Sequence, residues 1–254
     1  MKILVCIKQV ADLESRFVVP AGATWFDEAD LSFRINEYDE YAIEEAVRLK
    51  ESLPESELVV LTLGPPRAAE ALKKALAMGA DRAIHLNDPK AQDRDSFSVA
   101  QAIAGAVKDQ GFDLIFTGMQ SQDRGSGQVG LLLSELLGIN GVSCVVGFAK
   151  TEGGIQVERE LDGGLRAEVA LGLPALVTCQ LGLNQPRYPT LPNIMKAKKK
   201  PLETIELGPQ TAPRVKAQGL SLPPKRGAAE FIEGDNATKV AKLVAILKEK
   251  KLVG

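Results

Sequence analysis

The sequence is poor in the residues that most often bind metals or form disulfides. It contains one histidine, His85, and three cysteines, Cys6, Cys144 and Cys179. The cysteines are odd in number, far apart and set in apolar stretches. This predicts buried thiols in a reducing compartment rather than disulfides or a metal site. His85 lies in a short apolar segment, which favours a hydrogen-bonded structural histidine over a catalytic base.

Long apolar runs and an excess of one charge are also missing. No apolar stretch approaches the ~18 residues of a membrane span. The first residues enter a strand pattern directly, without the charged and then apolar regions of a secretory signal. Lysine and arginine total 31 against 33 acidic residues, a net charge of −2, so no basic face for nucleic acid is expected. We therefore predict a cytoplasmic protein without a membrane span or a nucleic-acid partner.

Strand and helix patterns alternate through the first half of the chain. The segments KILVCIKQV, ELVVLTLG, RAIHL and FDLIFTG are short apolar runs typical of buried parallel strands. Helical patterns follow them, with Asn36 as an N-cap, Pro66 at a helix start and Gly79 at a helix end. Four repeats of strand and helix predict an α/β fold with a doubly wound, mostly parallel sheet.

Two features of the early chain have more than one interpretation. Asp39, Glu44 and Glu45 could be paired carboxylates, but on an amphipathic helix they are interpreted as a solvent-exposed face. Trp25 lies in an irregular segment between Ala11 and Arg34. It could cover the edge of the sheet or a partner subunit, and the sequence does not choose between them.

The pattern changes beyond Val142. VERELDGGL alternates apolar and charged residues before a Gly-Gly turn, as a solvated hairpin does, and PALVTC is short and apolar enough for a buried strand. These segments predict an antiparallel C-terminal extension of the sheet. The Pro-rich stretch from Pro201 to Glu233 is interpreted as an arm, followed by a helix capped by Asp235 or Asn236.

Three segments should meet at one edge of the predicted sheet. Ligands of such sheets bind beyond the carboxyl ends of the strands, where the strand order reverses. Cys6–Lys8, Leu63–Pro65 and Gly118–Gly130 all follow predicted strands. The glycines from Gly125 to Gly130 let backbone N–H groups approach a phosphate at a helix N-terminus. A glycine-rich loop is more often only a tight connection, and this one is neither a Rossmann motif nor a P-loop.

An apolar tip precedes a basic run near the middle of the second half. LNQPRYPTLPNIM places three prolines around Leu191, Ile194 and Met195, and such a tip is costly to leave in water unless a partner docks on it. Lys196–Lys200 could be an ordinary helix end favoured by the dipole. Beside the tip, these lysines could also steer an acidic partner.

These segments together resemble the β subunit of an electron transfer flavoprotein. The family signature is carried by Arg159–Leu161, Asp162–Leu165 and Pro174–Thr178, followed by LN-PRY-TLPNIMKAKKK. The likeness also covers MKILVCIKQV, NEYDEYAIEEAVRLKE, LGPPRAAEALKKALAMGADRAIHL and TGMQSQDRGSGQVG, and so extends from Met1 to about Lys200.

The resemblance implies two kinds of site. The β subunits hold a nucleotide at the glycine loop, usually AMP without a redox role, and FAD in the electron-bifurcating branch. Carried over residue by residue, the nucleotide site comprises Cys6, Asn36, Leu63, Asp123, Gly125, Ser126, Gly127, Gln128, Val129 and Gly130. Leu13 occupies the position that approaches the ring of the FAD held mainly by the α subunit. The recognition loop, near 184–200, would bind partners through Leu191, Pro192, Ile194, Met195, Lys196 and Lys199.

The glycine loop indicates which branch of this family the chain resembles, the AMP-binding or the bifurcating one. Bifurcating members commonly show G-D-x-x-Q-V-G-P there. This chain keeps Gln128-Val129-Gly130 but has Arg124-Gly125 in place of an acid after the glycine and Leu131 in place of the proline. The closing AEFIEGDNATK resembles the simple electron-transferring members, which favours AMP.

The implied protein is an electron carrier rather than a stand-alone catalyst, because the flavin performs the chemistry. As a heterodimer with the α subunit, it would take electrons from acyl-CoA or similar dehydrogenases, as in fatty acid oxidation, and pass them to a membrane quinone oxidoreductase. Residues 1–200 would form the nucleotide-binding domain, and 201–254 an arm and helix that pack on the partner subunit. The alternatives are a bifurcating subunit that binds FAD and oxidises NADH, and an ATP-binding regulatory module of the same fold.

Overall fold

A mostly parallel sheet organises the larger part of the chain. The computed structural model describes residues 1–208, 212–224, 227 and 229–253, and the chain divides into two units, Met1–Leu220 and Ser221–Gly254. The elements of the first half are β1 (Lys2–Ile7), β2 (Gln9–Ala11), β3 (Phe33–Ile35), α1 (Glu37–Ser52), β4 (Glu57–Gly64), α2 (Ala69–Met78), β5 (Arg82–Asn87), α3 (Ser96–Val107), β6 (Leu114–Gly118) and α4 (Val129–Leu137). Those of the second half are β7 (Asn140–Lys150), β8 (Gly154–Glu160), β9 (Arg166–Gly172), β10 (Ala175–Cys179), α5 (Leu191–Ala197), β11 (Leu202–Glu206) and α6 (Asn236–Glu249).

The nine-stranded sheet has the order β11-β5-β4-β1-β6-β10-β7-β8-β9. Neighbours from β11 to β7 pair in parallel, and β8 pairs antiparallel with both β7 and β9. Helices cover both faces. One buried cluster contains residues of α1 and α2, and the other contains residues of α3 and α4. The predicted α/β class with a doubly wound, mostly parallel sheet and an antiparallel extension is therefore confirmed.

Two strands of the second half join the parallel part of the sheet. All five residues of β10 are buried, and the strand lies between β6 and β7 rather than in the antiparallel extension, because an apolar run of this kind suits a strand covered on both faces. The strand β11, within the predicted C-terminal arm, pairs with β5 and forms the edge of the sheet. The predicted VERELDGGL hairpin is present as β8 and β9.

Helix α1 differs from its sequence prediction in two ways. Asn36 precedes its first residue, but its side chain makes no capping hydrogen bond. The acidic residues interpreted as a solvent-exposed face are not one, since Asp39 and Glu44 are 5% and 3% exposed and Glu45 is half-buried. The apolar stripe of α1 does not indicate the burial of these carboxylates, because the hydrogen-bond donors that satisfy them include groups from other segments of the chain.

The three cysteines are free thiols, and Cys144 is only half-buried. His85 is 3% exposed, and its Nε2 lies 3.1 Å from the carbonyl oxygen of Gly64, as expected for a structural histidine. No helix in the described part of the chain is long and apolar enough to cross a membrane.

The second unit contains α6, which begins as predicted. The Asp235 carboxylate accepts a hydrogen bond of 2.8 Å from the Thr238 backbone N–H, satisfying a first-turn donor of the helix. Val240, Leu243 and Val244 of this helix are exposed. Residues 209–211, 225–226, 228 and 254 of the predicted arm lie outside the described residues.

Candidate functional site

A cavity opens at the carboxyl edge of the sheet, where β1 has β4 on one side and β6 on the other. Its walls include the ends of these three strands, at Cys6–Gln9, Leu63–Pro65 and Thr117–Ser121. The N-terminal part of α3 and the loop before α4 complete it. Strands β4 and β5 lie to one side of β1 and β6 to the other, so the cavity occupies the point where the strand order reverses. The three segments predicted to meet do so.

The buried carboxylate of Asp39 ties two of these strand ends together. Oδ2 accepts a hydrogen bond of 2.6 Å from the Lys8 N–H after β1, and Oδ1 accepts one of 3.1 Å from the Gly118 N–H at the end of β6. Asn36 Nδ2 donates to the same Oδ1 at 3.0 Å. Burial raises the pKa of Asp39 to about 7, although these hydrogen bonds and the charge of Lys8 act to lower it.

The side chain of Asn36 bridges to the loop after β6 instead of capping α1. Its Nδ2 donates to the carbonyl oxygen of Gln120 at 2.8 Å, and its Oδ1 accepts from the Gln122 N–H at 3.0 Å. With Asp39, it sets the path of the chain from Gly118 towards the glycine loop. The first residues of α1 therefore shape the cavity.

The glycine loop has the backbone conformation that its composition predicts. Gly125 and Gly127 have φ values of 58° and 61°, a region that other residues rarely adopt. Gly130 lies in the first turn of α4, where a Cβ would come within 2.7 Å of Thr117 Oγ1 and of Thr178 Cγ2. The first N–H groups of a helix have no partner within it, so the first turn of α4 presents donors and the positive end of its dipole to the cavity.

Two hydroxyls join the N-terminal ends of α3 and α4. Ser96 Oγ donates to Ser126 Oγ at 3.1 Å, and both residues line the cavity. The N-terminus of α3 is capped by the Asp95 carboxylate, which accepts from the Ser98 N–H. The groups that suit a phosphate are therefore the first turn of α4 and the two hydroxyls beside the glycine loop. Val99 and Ile103 of α3, together with Leu63, provide an apolar wall further along the cavity.

An ion pair crosses the cavity between the strand end and the loop. Lys8 Nζ lies 2.7 Å from both carboxylate oxygens of Asp123 and 3.4 Å from Ser121 Oγ. Burial lowers the pKa of Lys8, and the adjacent Asp123 partly offsets this. The charge of Lys8 is thus balanced by Asp123 within the cavity wall.

An aromatic and cationic cluster forms the outer wall. The Arg124 guanidinium lies 4.9 Å from the Trp25 ring centroid and donates to the backbone carbonyls of Gln92 and Arg94. The Trp25 indole N–H donates to Glu28, whose other oxygen accepts from Arg67. Trp25 therefore lies in the cavity wall, and its two sequence interpretations, the edge of the sheet and a partner surface, did not include this place.

The structure brings most of the predicted nucleotide-site residues together. Lining the cavity are Cys6, Asn36, Leu63, Asp123, Ser126, Gly127, Gln128, Val129 and Gly130. Gly125 shapes the loop without being part of the wall. Leu13 is 62% exposed and lies outside the wall, and so does Leu131, which is 39% exposed.

Several residues of the wall have no sequence signal that marks them as functional. Lys8 follows the apolar run of β1 without a motif of its own, and Asp39 has the sequence context of a solvated helix face. Ser96 and Glu28 lie in no motif, Arg67 lies in a family-like segment without a predicted role, and only the packing of distant segments brings them to the cavity.

The second predicted site lies on and around α5. Leu191 is the first residue of this helix rather than part of a loop, and Thr190 caps it by accepting from the Asn193 N–H. Leu191, Met195 and Ile194 are 78%, 60% and 39% exposed, while Ala197 is buried and α5 packs against α2. We call this exposed face of α5 the docking face.

The basic run after α5 has two separate environments. Lys196, Lys198 and Lys199 are exposed. The ammonium group of Lys200 instead donates to the carbonyl oxygens of Leu76 and Ala80 at the end of α2, where it satisfies groups that the helix leaves unpaired. Lys200 therefore differs from the three exposed lysines, because its ammonium group is bonded to this chain.

Comparison with known proteins agrees with this arrangement. A family described as "Electron transfer flavoprotein domain" matches residues 23–210. The chain is 38% identical over 260 residues to "Electron transfer flavoprotein subunit beta" of Bacillus subtilis, with all of both chains covered. It is 34% identical over 265 residues to the protein of the same description from Methylophilus methylotrophus, with 99% of each chain covered. The corresponding human protein is 36% identical over 254 residues, covering 98% of this chain and 97% of its own. The chain therefore belongs to the electron transfer flavoprotein family, as a β subunit.

Proposed function

We propose that this chain pairs with an electron transfer flavoprotein α subunit and carries electrons from acyl-CoA or similar dehydrogenases to a membrane quinone oxidoreductase, with AMP as a structural nucleotide in its cavity. The observation that carries this proposal is the presence of two separate features on one chain. One is a cavity at the point of strand-order reversal, with a glycine loop and the first turn of α4 beside it, and the other is an exposed apolar helix with neighbouring lysines. An ATP-binding regulatory module would leave the docking face unexplained.

The cavity fits the chemistry of a nucleoside monophosphate. The first turn of α4 and the hydroxyls of Ser96 and Ser126 suit one phosphate. The Lys8 ammonium is already paired with Asp123, so these neutral donors carry the argument. The apolar wall of Leu63, Val99 and Ile103 suits a base. The side chain of Arg124 closes the wall next to the loop by binding the carbonyls of Gln92 and Arg94, which supports a short nucleotide over FAD. Leu131 lies outside this wall, so it adds nothing to the choice.

The flavin would be held mainly by the α subunit. When bound, FAD supplies the electron transfer itself, and no acid, base or nucleophile of this chain is required. The exposed Leu13 is our candidate for the residue that covers one side of the flavin ring. The docking face would bring a dehydrogenase to the heterodimer, with Leu191, Pro192, Ile194 and Met195 as apolar contacts. Lys196 and Lys199 would steer an acidic partner towards it.

The test is a count of nucleotides in the heterodimer, purified after co-expression with its α subunit. Acid extraction should release one FAD and one AMP, and the protein should accept electrons from a reduced acyl-CoA dehydrogenase without oxidising NADH. Release of two FAD and no AMP would place the chain in the bifurcating branch. Release of ATP without any flavin would favour the regulatory module.

A further inference from the structure

The segment between β10 and α5 is attached to helix α1 by one arginine. Arg187 Nε and Nη2 donate to the two carboxylate oxygens of Glu44 at 2.8 and 3.1 Å. Its Nη1 and Nη2 donate to the two oxygens of Glu51 at 2.6 and 3.0 Å. The backbone N–H of Arg187 adds a fifth hydrogen bond, of 3.1 Å, to Glu44. A planar guanidinium with two carboxylates in bidentate geometry fixes direction as well as distance.

The two carboxylates contribute unequally to this attachment. The side chain of Glu44 is 3% exposed and that of Glu51 is 57% exposed. Exposed ion pairs contribute little, whereas a buried carboxylate depends on its partners. Burial acts to raise the pKa of Glu44, but the hydrogen bonds from Arg187 and Arg48 outweigh it and the pKa is lowered. Glu44 is therefore the main anchor.

Neighbouring residues hold the same segment. Asn184 Nδ2 donates to the Tyr41 carbonyl at 3.0 Å and to Glu45 Oε2 at 2.9 Å. Pro186 and Pro189 flank the attachment, and each fixes its own φ. Between Arg187 and Leu191, only the φ of Pro189 is fixed by a ring, so the start of α5 is held by the hydrogen bonds of Arg187 before it and by the packing of α5 on α2.

The opposite end of the docking helix is held on a different element. Ala197 is buried, and Lys200 donates to the end of α2. Helix α5 is thus supported by α1 before its first residue and by α2 after its last. Between these supports, Leu191 and Met195 remain exposed.

We propose that Arg187 is the positioning residue of the docking face: by binding Glu44 and Glu51, it holds Leu191 in the orientation in which a dehydrogenase meets it. This inference rests on the docking role proposed above. Arg187 itself does not need to touch the partner, and neither do the two glutamates.

The decisive variant is Arg187→Gln, with Arg48→Gln as its matched control. Arg48 also donates to Glu44, at 2.9 Å, but it lies on α1 and does not attach the segment to it. Each variant leaves Glu44 with one arginine, so neither leaves a buried carboxylate without a cation. Both should fold and retain their nucleotides.

The measurement uses the heterodimer and an acyl-CoA dehydrogenase reduced by its substrate. We expect Arg187→Gln to raise the KM for the dehydrogenase by about tenfold with little change in kcat, since the docking face is misplaced but the flavin is not. Arg187→Lys should restore part of the loss, and Arg48→Gln should resemble the parent. The inference is overturned if Leu191→Ala raises KM but Arg187→Gln lowers only the melting temperature and leaves KM unchanged. Arg187 would then contribute to stability alone.

Hydrogen exchange separates this inference from the proposed function. If Leu191→Ala leaves KM unchanged, the docking role itself fails, and exchange of the amides from residues 191 to 197 then decides the role of Arg187. Faster exchange in Arg187→Gln than in Arg48→Gln would show that Arg187 positions α5. Equal exchange in the two variants would show that it does not.

Discussion

The cavity and the docking face both depend on helix α1, but they are built from opposite kinds of residue. Asn36 and Asp39, at the start of α1, join strand ends that are far apart in the sequence. Glu44 and Glu51, further along α1, hold a segment that leads directly into α5. The cavity contains buried polar groups with partners, whereas the docking face contains apolar groups without cover. Changes in the cavity should therefore cost stability, and changes on the docking face should cost association.

The largest effect should come from adding a methyl group where the cavity is tightest. A Cβ at Gly118 would lie 2.7 Å from the Cβ of Tyr38 and would also collide with Asp39 Oδ1. We expect Gly118→Ala to lower the free energy of unfolding by about 3 kcal/mol or more, as measured by urea denaturation.

Gly105→Ala is the matched control for this substitution. Gly105 lies within α3, and a Cβ there would meet nothing within 4 Å. The same change should therefore raise the free energy of unfolding by about 0.5–1 kcal/mol, because alanine favours helix. Similar effects at both glycines would contradict the tight packing of Asp39 at the strand ends.

A substitution on the docking face should slow association with a dehydrogenase without lowering the free energy of unfolding. A leucine anchor buried at an interface contributes about 2 kcal/mol, so Leu191→Ala should slow electron uptake from a dehydrogenase by about thirtyfold. Its free energy of unfolding and its flavin content should stay at the parental values, because Leu191 is 78% exposed. Stopped-flow measurement of flavin reduction tests this. Leu136→Ala, at an exposed leucine of α4, should leave the rate unchanged, and an equal loss in both variants would remove the special role of α5.

A smaller effect should appear as a pH dependence of stability that arises from the buried carboxylate of the cavity. The pKa of Asp39 is raised from 3.8 to about 7 in the folded protein. The folded state then binds more protons than the unfolded state between these values, so the stability contributed by this group falls as the pH rises through that range and is constant above it. Lys8 is the charged partner that limits the shift, and the thiols of Cys6 and Cys179 are the other titratable groups coupled to this carboxylate.

Asp39→Asn removes this proton-binding difference. The stability advantage of the parent over the variant should therefore shrink by at least about 1 kcal/mol between pH 4.5 and pH 7.5, as measured by urea denaturation across that range. An advantage that grows with pH would mean that the hydrogen bonds from Lys8, Gly118 and Asn36 dominate over burial.

The smallest effect should be a change in salt dependence at the docking face. Replacing Lys198 and Lys199 with glutamine should lower the association rate with a dehydrogenase about two- to fivefold at low ionic strength and have little effect at high ionic strength. Lys200→Gln should instead lower the melting temperature, because Lys200 caps α2. If the Lys198 and Lys199 variant keeps the parental salt dependence, these lysines are only a solvated helix end.

The order of the strands and helices, the glycine loop and the apolar tip could all be predicted from the sequence. Each depends on residues that are neighbours in the chain. The buried run of β1, the glycines from Gly125 to Gly130 and the prolines around Leu191 express local conformational preferences. The expectation of a cavity at the carboxyl edge rests on the general rule for doubly wound sheets, whereas the strand order itself comes from the fold.

Only the tertiary structure decided the roles of the polar residues between these elements. Asp39 and Glu44 have the sequence context of a solvated helix face, yet the Lys8, Gly118 and Arg187 donors that satisfy them come from other segments. Trp25 acquires its place through Glu28 and Arg124. The energy of a buried charge depends on partners that the fold brings within hydrogen-bond distance, and that distance is not encoded in any local pattern. The sequence by itself therefore determined the α/β class, the glycine loop and the apolar tip, while the fold determined the places of β10 and β11 in the sheet and which charges are buried.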